Sequence, residues 1–176
     1  MRISAIKKSK GSRNANNRRD ERSIDNIDKF FAEYPNFDYD SSRPIWTEFN
    51  RMCRFFGWNK DDEELKDAKG EFKVAMVKQF NDIYGKDPKN LQSWQKLCHV
   101  LNIEPVPTRL AECREGVRRT HVNLVDLVET KNTGLPVEVF ETVEQLQAYT
   151  IHNGKFFPKK NAYEGGLLRF LLRQIL

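Results

Sequence analysis

The sequence has no long apolar run. No stretch approaches the ~18–20 consecutive apolar residues that a helix needs to cross a bilayer, and the first residues lack the apolar core of a secretory leader. Both features argue against a membrane-spanning chain and against export by the usual route. We therefore expect an intracellular protein, nuclear or cytoplasmic, with no membrane partner.

Cysteine is scarce as well. The three cysteines, Cys53, Cys98 and Cys113, are odd in number and far apart, which does not make the disulfide framework of a small secreted domain. We expect buried, reduced thiols. Cys98 and the adjacent His99 suggest a nucleophile or a zinc site, but neighbours on a helix point about 100° apart, so a structural cysteine is favoured. The spacings CxxC, HxxxH and HExxH do not occur, and we expect no metal and no other cofactor.

The signatures of common enzyme classes are missing too. The chain contains no GxSxG, protein-kinase or deaminase motif. Gly165 and Gly166 lack the flanking residues of a phosphate-binding loop, so close helix packing is favoured there. The acidic run at 61–64 lacks the alternating ligands and central glycine of a calcium loop and is typical of a solvated helix start. A non-enzymatic protein is favoured, and a small enzyme whose site assembles only in three dimensions remains a third hypothesis.

Aromatic residues are missing before Phe30, where the charge is mostly of one sign. Residues 1–22 hold eight of the 30 basic and two of the 25 acidic residues, so this segment carries +6 and the remainder −1 of the net +5. A segment with so little apolar surface cannot offset the entropy of ordering itself. We predict a disordered basic tail over 1–22, followed by a single helical domain over 23–176.

The basic clusters of the tail are typical of a nuclear address or of contact with a phosphate backbone. A solubilising extension without a partner is the alternative. Membrane contact ranks lowest, because the tail has no lipidation signal and no aromatic side chain to insert. The candidate phosphate contacts are Lys7, Lys8, Lys10, Arg13, Arg18 and Arg19.

Apolar residues from Ser23 onward recur at three- and four-residue steps, which is the period of helices buried on one face. The longest helix should end at Tyr84 and has a weak point at Gly70, which allows a kink or a split. We predict an all-α fold, a compact orthogonal bundle of seven or eight helices. A short two-stranded element near 137–140 and 155–157 also fits the pattern. The predicted N-caps are Ser23, Thr108, Asn123 and Thr142.

The best basic surface of the predicted domain belongs to one helix. It carries Arg114, Arg118 and Arg119, which together with the tail define a nucleic-acid-binding hypothesis. Glu112 and Glu115 alternate with these arginines, so a mixed, salt-bridged face is favoured.

The leading hypothesis is a non-enzymatic helical module that binds another protein through an apolar or aromatic groove. Aromatic residues supply the candidates because large, flat side chains contribute strongly to protein interfaces. Each of them is equally compatible with a place in the core. The candidates are Phe37, Tyr39, Trp58, Phe156 and Phe157.

Five segments of the chain are distinctive: PxFxYD (35–40), EFNRMCRFFGW (48–58), SWQKLCHVLNIEPVP (93–107), THVNLVDLV (120–128) and NAYEGGLLRFLLRQIL (161–176). With these segments the chain resembles a small conserved helical protein or domain of filamentous fungi, over roughly 24–176 and without the basic tail. The resemblance implies an intracellular helical domain. It carries no catalytic or binding residue over to this chain.

Overall fold

A computed structural model describes residues 25–133, 137–158 and 166–172, with side chains described for all of them except 131–133. This part of the chain is mainly helical, which confirms the predicted fold class, and none of its helices is long and apolar enough to cross a membrane. The predicted tail at 1–22 and Gly165 lie outside the described residues. The elements are α1 (Asn26–Ala32), α2 (Ile45–Phe56), α3 (Glu63–Tyr84), α4 (Leu91–Val100), α5 (Leu110–Arg119), β1 (His121–Val122), α6 (Leu124–Thr133), β2 (Val139–Phe140), α7 (Val143–Asn153) and α8 (Leu168–Leu172).

Two of the predicted N-caps are confirmed. The side-chain oxygen of Asn123 accepts the Val125 N–H at 2.9 Å where α6 begins. The Thr142 hydroxyl accepts the Gln145 N–H at 3.2 Å where α7 begins. Each bond satisfies a backbone donor that has no partner inside the helix, which is why α6 and α7 begin where they do.

The other two predicted caps have different outcomes. Thr108 is not a cap, because α5 begins after Arg109, whose backbone is extended and whose side chain makes no capping bond. Ser23 lies outside the described residues. α1 is instead capped by Asp25, whose carboxylate accepts the Asp28 N–H at 2.8 Å, and the Asp28 carboxylate accepts the Asp25 N–H in return. This reciprocal pair is a capping box built from two aspartates.

Two glycines have contrasting roles in the helices of the first 85 residues. α3 runs through Gly70 without the split that the residue allows, and a side chain there would meet no atom within 4 Å. Gly57 ends α2 in the left-handed conformation, with φ at 67°, which costs glycine little. The chain reverses after Gly57, so that the Trp58 N–H donates to the Cys53 carbonyl at 3.1 Å.

The chain divides into two compact units, Met1–Ala75 and Met76–Leu176, with the boundary inside α3. The described part of the first unit has an aromatic core, in which Phe49 stacks on Phe72 with ring centroids 4.4 Å apart. Rings of this size bury a large apolar area for few torsions fixed, so a short segment still builds a dense core. The prediction of a single domain over 23–176 remains a prediction.

The second unit is built around α6. Leu124, Val125, Leu127 and Val128 are all fully buried, so the first half of this helix lies in the core of the unit. α4 and α5 pack against each other, and α8 contacts α5. The buried residues of α6 therefore fix the position of Asp126 and Glu129, the acidic side chains of the same helix.

The small sheet differs from the predicted one in its pairing. β2 lies within the predicted region 137–140, but its antiparallel partner is β1, with His121 opposite Phe140. Residues 155–157 form no strand. Their backbone is held by a side chain instead, because the Asn123 amide donates to the Lys155 carbonyl at 3.1 Å.

Candidate functional site

Three of the five aromatic candidates belong to the first unit. Phe37 is only 5% exposed and is part of the core. Tyr39 is half-buried and stacks on Phe31, with ring centroids 4.1 Å apart. Trp58 is half-buried and stacks on Phe56 at 5.1 Å. Of the three, Trp58 both stacks on another ring and lies directly after the exposed Gly57 that ends α2.

The other two candidates, Phe156 and Phe157, belong to the second unit and follow the left-handed Gly154 that ends α7. Phe156 is 54% exposed and Phe157 is half-buried. No ring of the described residues stacks against either of them. Phe156 therefore offers exposed aromatic area without a stacked ring beside it.

The structure adds Phe55, which the sequence patterns did not single out. Its ring is 42% exposed, meets Phe56 edge-on at 5.0 Å and lies 5.8 Å from the ring of Phe37. A signal for this placement exists in the sequence. The apolar stripe of α2 runs through Phe49, Met52 and Phe56, and Phe55 is one residue off that stripe. An aromatic residue off the stripe of an amphipathic helix faces outward.

Phe55, Phe56 and Trp58 form a continuous aromatic edge. Phe56 is buried between the other two, and Trp58 also meets Tyr34 edge-on at 5.9 Å. Each ring is supported by another ring, so the exposed faces keep their positions. Such side chains lose little rotamer freedom when a partner contacts them.

Arg51 is held beside this edge by a buried carboxylate. Its Nε and Nη2 donate to the two oxygens of Glu48 at 2.9 and 2.7 Å, and Nη2 also donates to the Asp38 carbonyl. The Asp40 N–H donates to the same carboxylate at 3.0 Å. The guanidinium lies 4.3 Å from the centre of the Phe37 ring. These bonds hold the loop that precedes α2 against the helix.

The Glu48 carboxylate has no exposed surface. Burial raises the pKa of such a group, but the bonds from Arg51 and from the Asp40 N–H favour the charged form and lower the pKa of Glu48 below its usual value. Glu48 is therefore an anion whose charge is balanced by a fixed, partly exposed cation. The neighbouring Arg54 is exposed, and its Nε donates to the Asn50 carbonyl at 3.3 Å.

We call Asn50, Arg51, Arg54, Phe55 and Trp58 the α2 surface. They recur at steps of three and four residues and so share one side of the helix and its exit. Asn50, Arg54 and Phe55 are exposed, and the other two are half-buried. The α2 surface carries two arginines and no acidic residue, because the one glutamate of this helix points into the core.

The three arginines of the nucleic-acid hypothesis have different environments on α5. Arg114 is half-buried, with its guanidinium 5.6 Å from the centre of the Trp94 ring and 5.4 Å from that of Phe170. Arg119 pairs with Glu115 at 2.8 Å, as the alternation of charges predicts. Arg118 is exposed. The six basic residues of the tail lie outside the described residues.

A buried ion network lies in the second unit. The Lys155 ammonium donates to Asp126 at 2.5 Å, to Glu129 at 3.2 Å and to the Tyr149 hydroxyl at 3.4 Å. Burial lowers the pKa of Lys155, but the two carboxylates outweigh it and raise the pKa above its usual value. A lysine held in its protonated form offers neither a nucleophilic amine nor a base. The network acts as a clamp between α6 and the chain that follows α7.

The cysteines are placed as structural thiols. Cys98 and Cys113 are fully buried, whereas His99 is exposed, so the adjacent pair points apart as the helical spacing predicts. Burial raises the pKa of the Cys98 thiol to about 12 and that of the Cys53 thiol to about 11. Neither forms the thiolate that nucleophilic catalysis needs at neutral pH. Within the described ranges, no group of three or more His, Cys, Asp or Glu side chains is arranged to hold a metal ion.

On the α2 surface, exposed aromatic area and a fixed charge occur together. No protein-family model, curated protein or solved structure matches the chain.

Proposed function

We propose that this protein is a non-enzymatic, intracellular interaction module that binds another protein through the α2 surface, with the basic tail at 1–22 as a nuclear address. The observation that carries the proposal is the ring of Phe55, 42% exposed at the end of a continuous aromatic edge. The resemblance to a helical protein of filamentous fungi agrees with an intracellular helical module.

The energetics of interfaces support this choice of surface. Binding free energy is concentrated in a few aromatic and arginine side chains that are already ordered before the partner arrives. Phe55 is supported by Phe56 and Phe37, and Arg51 is fixed by both oxygens of Glu48. A partner that covers these side chains pays little for ordering them.

The charge of the α2 surface indicates the chemistry of the partner. Arg51 is already balanced by Glu48, so Arg54 is the cation beside Phe55 that remains for an incoming group. An interface is most favourable where opposite potentials meet. The partner segment is therefore an apolar side chain that covers Phe55, with an acidic residue next to it that reaches Arg54.

Phe55→Ala tests the proposal in quantitative affinity purification of the full chain from its native cells. Truncation of a central aromatic contact costs about 2 kcal/mol or more, roughly a 30-fold weaker Kd. We expect the proteins enriched by the original chain to be lost with Phe55→Ala. Circular dichroism should still show a cooperatively folded protein, since Phe55 is 42% exposed and lies outside the core.

Phe156→Ala is the matched control, because it removes an exposed ring of the same type from the second unit. It should retain the enriched proteins. Equal recovery with Phe55→Ala contradicts the proposal. If the enriched proteins are lost with Phe156→Ala and retained with Phe55→Ala, the binding surface lies in the second unit.

Nucleic-acid binding is the second candidate, and the charge of the tail favours it. Residues 1–22 carry +6 in a chain whose net charge is +5. On α5, Arg114 is engaged with two aromatic rings and Arg119 with Glu115, so the tail and Arg118 would supply the phosphate contacts. Such binding is dominated by counterion release and so depends steeply on salt.

A further inference from the structure

α7 presents an apolar residue to solvent. Ile151 is 68% exposed, the largest exposed fraction of any large apolar side chain in the described part of the chain. The opposite side of α7 is firmly packed, with Leu146 fully buried and Thr150 nearly so. The exposure of Ile151 is thus a property of one defined helix face and not of a loosely held helix.

That face has a regular composition. Glu144, Ala148, Ile151 and His152 are all exposed and lie within about 100° of one another around the helix axis. We call them the α7 face. Its centre is the small residue Ala148, which lets a second helix approach closely. Its first turn carries an acid and its last turn a histidine.

The acid at the start of the face is charged. The Glu144 carboxylate is held by its own backbone N–H and by the side chain of Thr142, and these bonds lower the pKa of Glu144 below its usual value. At the other end, an imidazole has an N–H to donate whether or not the ring is protonated. The two ends of the α7 face are therefore complementary to each other.

We propose that the α7 face pairs with the α7 face of a second copy of this chain, antiparallel and around a two-fold axis at Ala148. In this register, residue 144 of one copy lies opposite residue 152 of the other, four positions to either side of Ala148. Glu144 then accepts a hydrogen bond from His152 of the second copy, and the symmetry makes this contact twice. In this register Ile151 lies opposite residue 145 of the second copy, so each Ile151 packs against the helix of the second copy on its own side of the axis, which removes the exposed apolar area from water.

A second copy fits this face better than an unrelated partner, because the face is complementary to itself. An antiparallel pair also brings the positive end of each helix dipole to the negative end of the other. The α7 face carries no lysine or arginine, so the pairing places no two of these cations next to each other. The inference is independent of the function proposed for the α2 surface.

Sedimentation velocity of the full chain over a wide range of concentrations tests the inference. The original chain should approach twice its 20.7 kDa mass as the concentration rises. Ile151→Asp should stay at the monomer mass, with unchanged circular dichroism, because Ile151 is exposed. Phe156→Ala is the matched control, an exposed apolar residue of the same unit outside the α7 face, and it should dimerise like the original chain.

A charge exchange tests the register. Glu144→Lys places a lysine opposite His152 of the second copy, and His152→Glu places two glutamates opposite each other. Each change alone should therefore weaken the dimer at least about tenfold. The double variant, with both changes, restores opposite charges and should recover most of the association. A monomeric original chain at every concentration, a dimer that survives Ile151→Asp, or a double variant no better than the single ones would each overturn the inference.

Discussion

The Glu48 carboxylate has no exposed surface and is nevertheless charged, because Arg51 and a backbone N–H satisfy it. The pair has a second effect, since the same guanidinium donates to the Asp38 carbonyl and covers the Phe37 ring. One ion pair therefore links the loop before α2, the helix itself and the aromatic edge. Removal of either partner acts on all three.

Arg51→Met should lower the free energy of unfolding by about 3 kcal/mol, because it leaves a buried carboxylate without a counter-charge. Urea unfolding followed by circular dichroism measures the change. Arg54→Met is the matched control on the same face, where the arginine is exposed, and it should change stability by no more than about 0.5 kcal/mol.

Two further measurements decide whether the buried charge is the cause. Glu48→Gln in the Arg51→Met background should recover most of the lost stability, since the uncompensated charge is gone. The second measurement is the free energy of unfolding as a function of pH. The pKa of Glu48 is lowered in the folded state, so the stabilisation from its charged form is present above the ordinary glutamate pKa of about 4.3 and is lost as the pH falls below it. No recovery in the double variant would assign the loss to packing of the arginine stem instead.

Among the secondary-structure elements, α6 and α7 show how a polar clamp secures a buried helix. Lys155 follows α7 and reaches two carboxylates of α6, while Asn123 at the start of α6 donates to the Thr150 hydroxyl at 3.0 Å and to the Lys155 carbonyl. Asp126 and Glu129 stand three residues apart, among the four buried apolar residues of the first half of α6. The clamp keeps α7 in place, and with it the exposed face that carries Ile151.

Lys155→Met should destabilise the protein by about 3 kcal/mol at neutral pH, because two carboxylates with little exposed surface lose their cation. The pKa of Lys155 is raised in the folded state, so the stabilisation from its charged form is complete below the ordinary lysine pKa of about 10.4 and is lost as the pH rises above it. The difference between Lys155→Met and the original chain should shrink in that range. Chemical denaturation at a series of pH values measures it.

The matched control neutralises the whole network. The triple variant Lys155→Met, Asp126→Asn and Glu129→Gln leaves no charge in this network and should be markedly more stable than Lys155→Met alone. If the two variants are equally unstable, the network contributes through its hydrogen bonds and not through its charges.

For the molecule as a whole, the notable property is the separation of charge along the chain. The +6 of residues 1–22 stands against −1 for the remaining residues. Within the described residues, the basic side chains of α5 are largely engaged, with Arg114 between aromatic rings and Arg119 paired to Glu115. The tail and the body therefore make separable contributions to any binding of polyanions.

If nucleic acid is bound, the tail should supply most of the affinity. The logarithm of the binding constant should fall with the logarithm of salt concentration with a slope of about −5, for roughly six duplex phosphates neutralised. Fluorescence anisotropy with a labelled DNA duplex measures this slope. A chain in which 1–22 is replaced by a neutral segment of equal length should bind far more weakly. Full affinity in that variant, or no binding by the original chain, contradicts the nucleic-acid candidate.

Much of the fold followed from local patterns. The helical class, the caps at Asn123 and Thr142 and the inward Cys98 beside an outward His99 are confirmed, because helix period and capping involve residues only a few positions apart. The cap predicted at Thr108 was wrong, since the neighbouring Arg109 adopts an extended conformation and the helix starts one residue later than that cap requires.

Contacts between distant residues could not be predicted in this way. β2 pairs with β1 and not with 155–157, where the side chain of Asn123 binds the backbone of Lys155 instead. The partners of Lys155 are 26 and 29 residues away from it. Nothing in the local sequence of a lysine indicates which carboxylates it will meet.

The aromatic residues show the same division most clearly. Their abundance and their spacing on α2 are properties of the sequence, and the offset of Phe55 from the apolar stripe already indicates that it faces outward. Phe37, in a loop without periodicity, became a core residue because Arg51 covers it and Phe31 lies near it. Helical period assigns a side chain to the inside or the outside of its own helix, whereas the burial of a loop residue depends on what the rest of the chain brings to it.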